Sequence, residues 1–225
     1  MDSVKTNLSG GVGWIDIDDG KVNAMSVGLL GAIDRALDEV EEAGAVAVLA
    51  GRPGIFSAGF DMGTFQRTSE EVRAMLLAGA GLIERLLSFP RPVVAMCTGH
   101  AYPMGAFLML ASDVRVGARG PWRIGMNEVA VPLTVPYFAI EIARHRLTAA
   151  AFASIKTAAM YDPDAAVGVG YLDRAVDADE LRAVVEAEAS RVAAYDASTF
   201  TATKERINAA PLAALRAAVD SEFAA

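Results

Sequence analysis

The sequence predicts an α/β fold with a parallel β-sheet. Short, continuous apolar runs alternate along the chain with longer stretches in which apolar residues recur every three or four positions. Runs such as VAVLAG, residues 46–51, and VVAMCTG, residues 93–99, are typical of strands that are buried on both faces of a sheet. Because a helical stretch follows each run, the chain repeats the strand-then-helix unit from which parallel sheets are built.

The individual elements are predicted in order from the N-terminal end. VGWIDID, residues 12–18, alternates apolar and polar residues, which is typical of a strand with one solvent-exposed face. Asp19 and Gly20 predict a turn after it. Apolar residues at helical spacing predict a helix over residues 26–42, with Ser26 at its N-cap. The next predicted elements are a strand over 46–51, a helix over 70–87, a strand over 93–99, a helix over 105–111 and a strand over 113–118.

The strand signals fade after Pro132, and several helical stretches follow. Helical spacing covers residues 140–147, 149–159, 181–194 and 211–225. We therefore divide the chain into a core, residues 1–165, and a helical C-terminal region, residues 166–225.

Composition and charge exclude several classes of partner. The net charge is −8 and the 20 Lys and Arg residues are scattered, so we expect no nucleic-acid partner. Apolar runs are interrupted well before about 18 residues, so we expect no membrane span. The N-terminal residues MDSVKTNLSGG lack the pattern of a secretory signal, and the single cysteine, Cys97, can form neither an intrachain disulfide nor a cysteine zinc cluster. These observations predict a cytoplasmic protein.

Two segments share one design, in which a buried strand runs through a glycine-containing turn into a helix. They are VLAGRPGIFSAGFDM, residues 48–62, and AMCTGHAYPMGAFLML, residues 95–110. Glycine lets the backbone approach a ligand closely, and the first amides of a helix have no intrahelical partner and attract negative charge. Two such turns can direct one N–H each at the same oxygen atom. Neither turn matches a nucleotide phosphate loop or a dinucleotide-binding pattern, and plain strand-to-helix connections are the alternative interpretation.

A third segment, IGMNEV, residues 124–129, places one carboxylate, Glu128, among apolar neighbours. An apolar pocket raises the pKa of a carboxyl group toward neutral pH, where the group can act as a general base. The alternative is a surface glutamate that pairs with a nearby arginine such as Arg123.

Three segments resemble motifs of the crotonase superfamily, which contains the enoyl-CoA hydratases and isomerases. GIFSAGFDM resembles the motif FxAGxDL, TGHAYPMGAFLMLASDVRV resembles the second motif with its glycine-rich turn and helix, and VNAMS, residues 22–26, resembles an early segment that lines the CoA site. The resemblance covers about residues 12–176. It implies an α/β fold of repeated ββα units, with a helical C-terminal region that packs between subunits to form homotrimers or hexamers.

The resemblance also implies which residues form the site. By position, the backbone N–H groups of Phe60 and Met104 form an oxyanion hole for the thioester carbonyl of an acyl-CoA substrate, and the family usually has glycine where Met104 stands. The CoA-binding positions are Asn23, Ala24, Ala58, Asp61 and Lys204. No metal or redox cofactor is implied, because coenzyme A enters as part of the substrate.

Hydratases of this family use two glutamates, whereas the resemblance implies that this chain keeps one. Phe107 occupies the position of the first, Glu128 falls on the second, and IGMNEV is similar to the GLNE segment of the 3,2-trans-enoyl-CoA isomerases. A phenyl ring cannot activate water, but one carboxylate can move a proton from C2 to C4 of an enoyl thioester. We therefore expect double-bond isomerisation of 3-enoyl-CoA. The alternatives are an enoyl-CoA hydratase that uses another carboxylate such as Glu141, a thioester hydrolase, and a non-catalytic acyl-CoA-binding subunit.

Overall fold

The computed structural model describes residues 3–224 and has the predicted alternation of strands and helices. The predicted ranges 1–165, 166–225 and 211–225 include residues 1, 2 and 225, which lie outside the described residues. The strands are β1 (Val4–Ser9), β2 (Val12–Ile17), β3 (Val46–Ala50), β4 (Gly54–Ser57), β5 (Val93–Cys97), β6 (Gly99–Ala101), β7 (Val114–Ala118), β8 (Ile124–Gly125), β9 (Met160–Tyr161) and β10 (Arg174–Val176). The helices are α1 (Val27–Glu42), α2 (Ser69–Ser88), α3 (Pro103–Ala111), α4 (Tyr137–Arg146), α5 (Ala149–Ser154), α6 (Pro163–Val169), α7 (Leu181–Ala193) and α8 (Ala197–Phe223).

The first part of the chain is a series of ββα units. β1, β2 and α1 form the first unit, and three further pairs of strands lead into α2, α3 and α4. A six-stranded sheet has the order β1-β2-β3-β5-β7-β10 and is parallel except for the β1–β2 pair. A four-stranded sheet has the order β4-β6-β8-β9 and collects the second strand of each later unit. The predicted α/β fold of repeated ββα units is confirmed.

The six-stranded sheet is covered on both faces, as the apolar runs predict. Every residue of β3 and β5 is buried. Helices α1 and α3 contact one face and α7 contacts the other, so two apolar clusters form, one on each side of the sheet. Helix α1 buries Leu29, Ile33 and Leu37, and Ser26 caps it by accepting a hydrogen bond from the Leu29 amide at 3.2 Å. Within residues 3–224, none of the helices combines the length and the apolar character needed to cross a bilayer.

The second half of the chain also contains two short strands, β9 and β10, that the sequence pattern does not predict. β10 pairs in parallel with β7 and so extends the six-stranded sheet, and β9 pairs with β8. Strands of two or three residues are too short to show a hydrophobic period, so the sequence gives no sign of them. The last helix begins at Ala197 rather than at residue 211, because Asp196 caps it by accepting from the Thr199 amide at 2.8 Å; Pro211 lies inside it.

Helix α8 folds back over the core of its own chain. It contacts α2 and α4, and the buried Asn208 side chain donates to the Leu87 carbonyl at 2.7 Å. The packing of this region between subunits, which the resemblance implies, concerns other copies of the chain and stays a prediction.

Candidate active site

Three parallel strand ends supply the segments of the site. β4, β6 and β8 are neighbours, and their register pairs Ser57 with Ala101 and Ala101 with Ile124. The carboxyl ends of parallel strands lie at the same edge of a sheet, so the residues that follow them come together. The following residues are 58–60 after β4, 102–104 after β6 and 126–128 after β8. The two glycine-containing turns and the Glu128 segment therefore converge.

The turn after β4 is held by buried hydrogen bonds. Gly59 has a φ of +93°, a backbone conformation that glycine adopts without strain. The Ser57 hydroxyl donates to the Asn23 carbonyl at 2.8 Å and accepts from the Gly59 amide at 3.0 Å. The Asn23 side chain in turn donates to the carbonyls of Ile17 and Phe56 at 2.9 Å and 3.2 Å. These contacts fix the turn independently of any ligand.

The turn after β6 opens helix α3 and touches the first turn. Pro103 occupies the first turn of α3, where a missing N–H costs nothing, and Tyr102 is the N-cap residue. The Tyr102 amide donates to the Ser57 carbonyl at 2.9 Å. A Cβ atom on Gly59 would lie 3.4 Å from Pro103 Cδ, so the two turns approach closely and leave little room for a side chain at this position.

The predicted amide donors, Phe60 and Met104, lie on these two adjoining turns. The Met25 amide donates to the Gly59 carbonyl, and the Met25 carbonyl accepts from the Asp61 amide. The Phe60 amide lies between these two bonds in the sequence and takes part in neither. The Met104 amide belongs to the first turn of α3, where the helix offers it no acceptor. Among residues 3–224, neither amide donates a hydrogen bond to another backbone group. Both N–H groups therefore lack a backbone acceptor; Phe60 lines a neighbouring cavity, whereas Met104 is fully buried and does not line it.

Helix α2 supports both turns through Gly79. A Cβ atom on Gly79 would lie 2.6 Å from the Phe60 ring and 3.2 Å from Met104 Sδ. The first distance is shorter than a carbon–carbon contact allows, so any side chain at Gly79 would displace the ring. The side chains of Phe60 and Met104 are thus seated against the same point of α2.

Glu128 begins a 3₁₀ turn, Glu128–Ala130, close to the end of β8. The residue is 6% exposed, and neither carboxylate oxygen has a hydrogen-bond partner in the described part of the chain. Burial raises the pKa of the Glu128 carboxyl to about 7. The alternative of a surface glutamate paired with Arg123 is therefore wrong. A buried carboxylate without a partner is costly to keep, and such groups concentrate at functional sites.

Glu128 and the two turns open onto one cavity of about 320 Å³. Its walls are mainly apolar, which suits a small-molecule site at the lower end of the usual size range. The lining residues are Ala58, Gly59, Phe60, Met62, Phe65, Leu76, Tyr102, Pro103, Asn127, Glu128, Val131, Leu133, Thr134, Pro136 and Glu222. A ligand in this cavity can meet residues of both turns and the Glu128 carboxylate.

Four of the predicted CoA-binding residues lie on or beside the first turn. Ala58 lines the cavity, and Ala24 and Asp61 are half-buried nearby. Asn23 is buried, and its side chain is engaged in the hydrogen bonds that hold the turn. Asn23 therefore has a structural role, and its contact with CoA stays a prediction, as do those of the other three.

Lys204, the fifth predicted CoA-binding residue, is not brought to the cavity. Its ammonium group lies 2.7 Å from Asp113 Oδ2, and its side chain is buried. Burial lowers the pKa of Lys204, and the Asp113 carboxylate offsets part of that effect. The assignment of Lys204 to a CoA phosphate stays a prediction, and this buried ion pair speaks against it.

The described lining of the cavity contains no carboxylate from α3 or α4. Phe107 is fully buried in α3, with its ring edge-on to Phe138 at a centroid distance of 6.3 Å. Glu141 lies on α4 and pairs with Arg144 at 3.4 Å, away from the cavity. Glu141 is therefore not a second acid of this site.

A second carboxylate reaches the cavity from the end of the chain, and sequence reasoning misses it. Glu222 lies in the last turn of α8 and lines the cavity, and its Oε2 accepts a hydrogen bond from the Tyr137 amide at 2.5 Å. A glutamate near the end of an alanine-rich helix is typical of a solvated face. No local signal in the sequence marks Glu222, since only the packing of α8 on α4 brings it here.

Comparison with known protein families matches nearly the whole chain. Residues 7–224 match the family described as enoyl-CoA hydratase/isomerase. A probable enoyl-CoA hydratase from Bacillus subtilis is 30% identical over 143 residues, which cover 62% of this chain and 55% of that protein. The chain thus aligns with about half the length of this relative.

Solved structures match over almost their full length. An enoyl-CoA hydratase/isomerase family protein from Pseudomonas syringae is 36% identical, with a TM-score of 0.96 over 98% of this chain and 96% of that chain. An enoyl-CoA isomerase from Mycobacterium tuberculosis is 35% identical, with a TM-score of 0.95 over 99% of this chain and 98% of that chain. The same mycobacterial protein is described in a second structure as a probable enoyl-CoA hydratase, so these names do not separate the two activities.

Proposed function

The chain belongs to the enoyl-CoA hydratase/isomerase family, the crotonase superfamily, and on this premise we propose that it moves the double bond of a 3-enoyl-CoA to the 2-trans position. Glu128 is the single acid–base group, and the amides of Phe60 and Met104 hold the thioester oxygen. The observation that carries the proposal is the buried Glu128 carboxylate, which opens onto the cavity and has no hydrogen-bond partner in the described chain.

The proposed reaction transfers one proton within the substrate. The Glu128 carboxylate removes a proton from C2 of the bound 3-enoyl thioester, and the electron pair of the broken C–H bond passes to the thioester oxygen to give a dienolate. The Glu128 carboxylic acid then returns the proton to C4, and the double bond moves from C3–C4 to C2–C3 as the charge leaves the oxygen. Substrate and product contain the same atoms, so the reaction consumes neither water nor a redox partner.

The surroundings of Glu128 suit this chemistry. With a pKa of about 7, the group is partly ionised at neutral pH, so it can both accept and return a proton. A positioned base contributes about 10²–10⁴ in rate, and each oxyanion donor contributes about 10²–10³. The apolar cavity walls strengthen both effects, because charge is screened weakly where water is excluded.

The proposed substrate brings coenzyme A with it. From their positions in the family motifs, we assign its CoA part to Asn23, Ala24, Ala58 and Asp61. No metal and no further cofactor enters the proposal. The family resemblance also leads us to propose that the chain assembles as a homotrimer or hexamer.

Enoyl-CoA hydration is a second candidate function. It is favoured by the relatives that are named hydratases and by Glu222, a second carboxylate on the same cavity. Against it stands Phe107, since the helix that follows the second turn offers no carboxylate to orient water.

A spectroscopic assay with the pure protein separates these activities. A 3-enoyl-CoA should gain the absorbance of the conjugated 2-enoyl thioester, whereas a 2-trans-enoyl-CoA should keep it. Loss of the conjugated absorbance on incubation with 2-trans-enoyl-CoA, abolished in Glu222→Gln, would instead identify a hydratase that uses Glu222. If acyl-CoA binds but neither reaction occurs, the chain is a non-catalytic acyl-CoA-binding subunit.

A further inference from the structure

Glu222 lies in a wall that separates the Glu128 cavity from a neighbouring cleft. The cleft has a volume of about 670 Å³, and its lining includes Arg67, Arg73 and Phe223. The two spaces share Phe65, Leu76 and Glu222. These three side chains therefore form the partition between them, and Glu222 is its charged member.

The last turn of α8 is held from two sides. The Tyr137 amide, at the start of α4, donates to Glu222 Oε2 at 2.5 Å, and the N-terminus of a helix favours such a carboxylate. On the opposite side, Arg73 of α2 donates to the Phe223 carbonyl at 3.3 Å, and its guanidinium lies 5.4 Å from the centre of the Phe223 ring. The partition is thus anchored to both α2 and α4.

In the proposed binding mode, the acyl chain is placed against this partition. The thioester carbonyl is assigned to the amides of Phe60 and Met104, and CoA to the side of Ala58 and Asp61. The cavity lining outside the two turns includes Leu76, Pro136 and Glu222, which we take as the acyl end. A longer acyl chain would collide with the Glu222 side chain, and forcing extra methylenes into a filled space is unfavourable.

We infer that Glu222 is the specificity-determining residue that sets the maximum acyl length, because it closes the acyl end of the cavity. This inference rests on the proposed function, in which the cavity holds an acyl-CoA thioester. Removal of the Glu222 side chain would join the inner cavity to the outer cleft and admit longer chains. A competing route lies past Leu133 and Thr134, which the cavity shares with a second cleft of about 760 Å³.

The test measures binding separately from catalysis. Dissociation constants of butanoyl-, octanoyl-, dodecanoyl- and hexadecanoyl-CoA are determined by calorimetry for the wild type, Glu222→Ala, Glu222→Gln and Leu133→Ala. We expect the wild type to prefer the shorter chains. In Glu222→Ala, the affinity for dodecanoyl-CoA relative to butanoyl-CoA should rise about tenfold or more, since a methylene that a pocket rejects costs at least that factor.

Two control variants separate length selection from a loosened helix. Glu222→Gln keeps the shape and can still accept from the Tyr137 amide, so it should retain the wild-type length preference. Asp220→Ala changes an exposed residue of the same helix, outside the cavity, and should alter neither the length preference nor the melting temperature.

Each other outcome overturns a distinct statement. An unchanged length preference in Glu222→Ala, or a shift only in Leu133→Ala, overturns the inference about Glu222 and leaves the proposed function standing. Absence of binding of every acyl-CoA overturns both. In a further outcome, the wild type binds acyl-CoA with a length preference that shifts in Glu222→Ala and yet does not turn over 3-enoyl-CoA. That result supports the role of Glu222 and overturns the isomerase activity.

Discussion

Two buried ionisable side chains, Glu128 and Lys204, differ in whether the fold gives them a partner. Lys204 lies against Asp113, whose carboxylate also accepts from the Val93 amide at 2.8 Å, so the positive charge is compensated where it is buried. Both oxygens of Glu128 lack a hydrogen-bond partner within residues 3–224. A charge that serves the fold is paired because an unpaired one costs stability, whereas a base must be left free to take a proton.

Glu128→Gln should have the largest effect. The amide cannot accept a proton from C2, so kcat for 3-enoyl-CoA isomerisation should fall by about 10²–10⁴. Calorimetric affinity for a saturated acyl-CoA and the far-UV circular dichroism spectrum should stay close to those of the wild type. Turnover within a few-fold of the wild type would show that another group is the base.

Lys204→Met should reduce stability rather than substrate binding. It leaves Asp113 partly buried with only the Val93 amide as partner, and breaking a buried pair costs about 3 kcal/mol or more of unfolding free energy. Urea denaturation measures this loss, and KM for 3-enoyl-CoA should not change. Lys5→Met is the control, because Lys5 is exposed and its loss should change stability by no more than about 0.5 kcal/mol. A stable Lys204→Met with a raised KM would instead assign Lys204 to a CoA phosphate.

The pH dependence of stability should differ between the wild type and Glu128→Gln. The folded-state pKa of about 7 lies above the ordinary value of 4.5, so between these values the folded chain holds a proton that the unfolded chain has released. Unfolding free energy should therefore fall as pH rises through this window, by about 3 kcal/mol in all, and stay low above it.

Denaturation curves at several pH values measure this difference, which should be absent in Glu128→Gln. The isomerisation rate should change in the opposite direction and rise through pH about 7, because the ionised form is the base. Equal pH dependence of stability in the two proteins would mean that Glu128 is not buried in an apolar environment.

Arg123→Ala should have the smallest effect. The Arg123 side chain is exposed, and the hydrogen bond that residue 123 makes to His100 Nδ1, at 3.0 Å, comes from its backbone amide and survives the change. Stability should change by about 0.5 kcal/mol or less, and kcat should be unaltered. A marked loss of activity or a shifted pH profile would indicate that Arg123 does act on Glu128.

The sequence predicts the parts of the fold in which local pattern and final position agree. The buried strands β3 and β5 are continuous apolar runs, and α1 shows its stripe at helical spacing, so both faces of the main sheet can be inferred. β9 and β10 cannot be inferred from the sequence. Strands of two or three residues depend on pairing with a neighbouring strand rather than on a local pattern.

The same distinction applies to the site. Glu128 stands out as a carboxylate in an apolar segment, and the structure buries it as that context suggests. Glu222 and the Lys204–Asp113 pair depend on how α8 returns to the core, which joins positions far apart in the chain. Such contacts leave no periodic or local trace, so the pairing of Lys204 and the position of Glu222 emerge only from the fold.

Gly79 of α2 does not line the cavity, but the absence of its side chain makes room for two residues of the proposed oxyanion site. Phe60 and Met104, whose amides are assigned to the oxyanion, both rest on the space that a single missing Cβ leaves open. A Cβ atom in Gly79→Ala would press on the Phe60 ring and on Met104 Sδ, although residue 79 does not line the cavity. The seating of the side chains that flank the proposed oxyanion site thus depends on the packing of a helix residue outside the cavity lining.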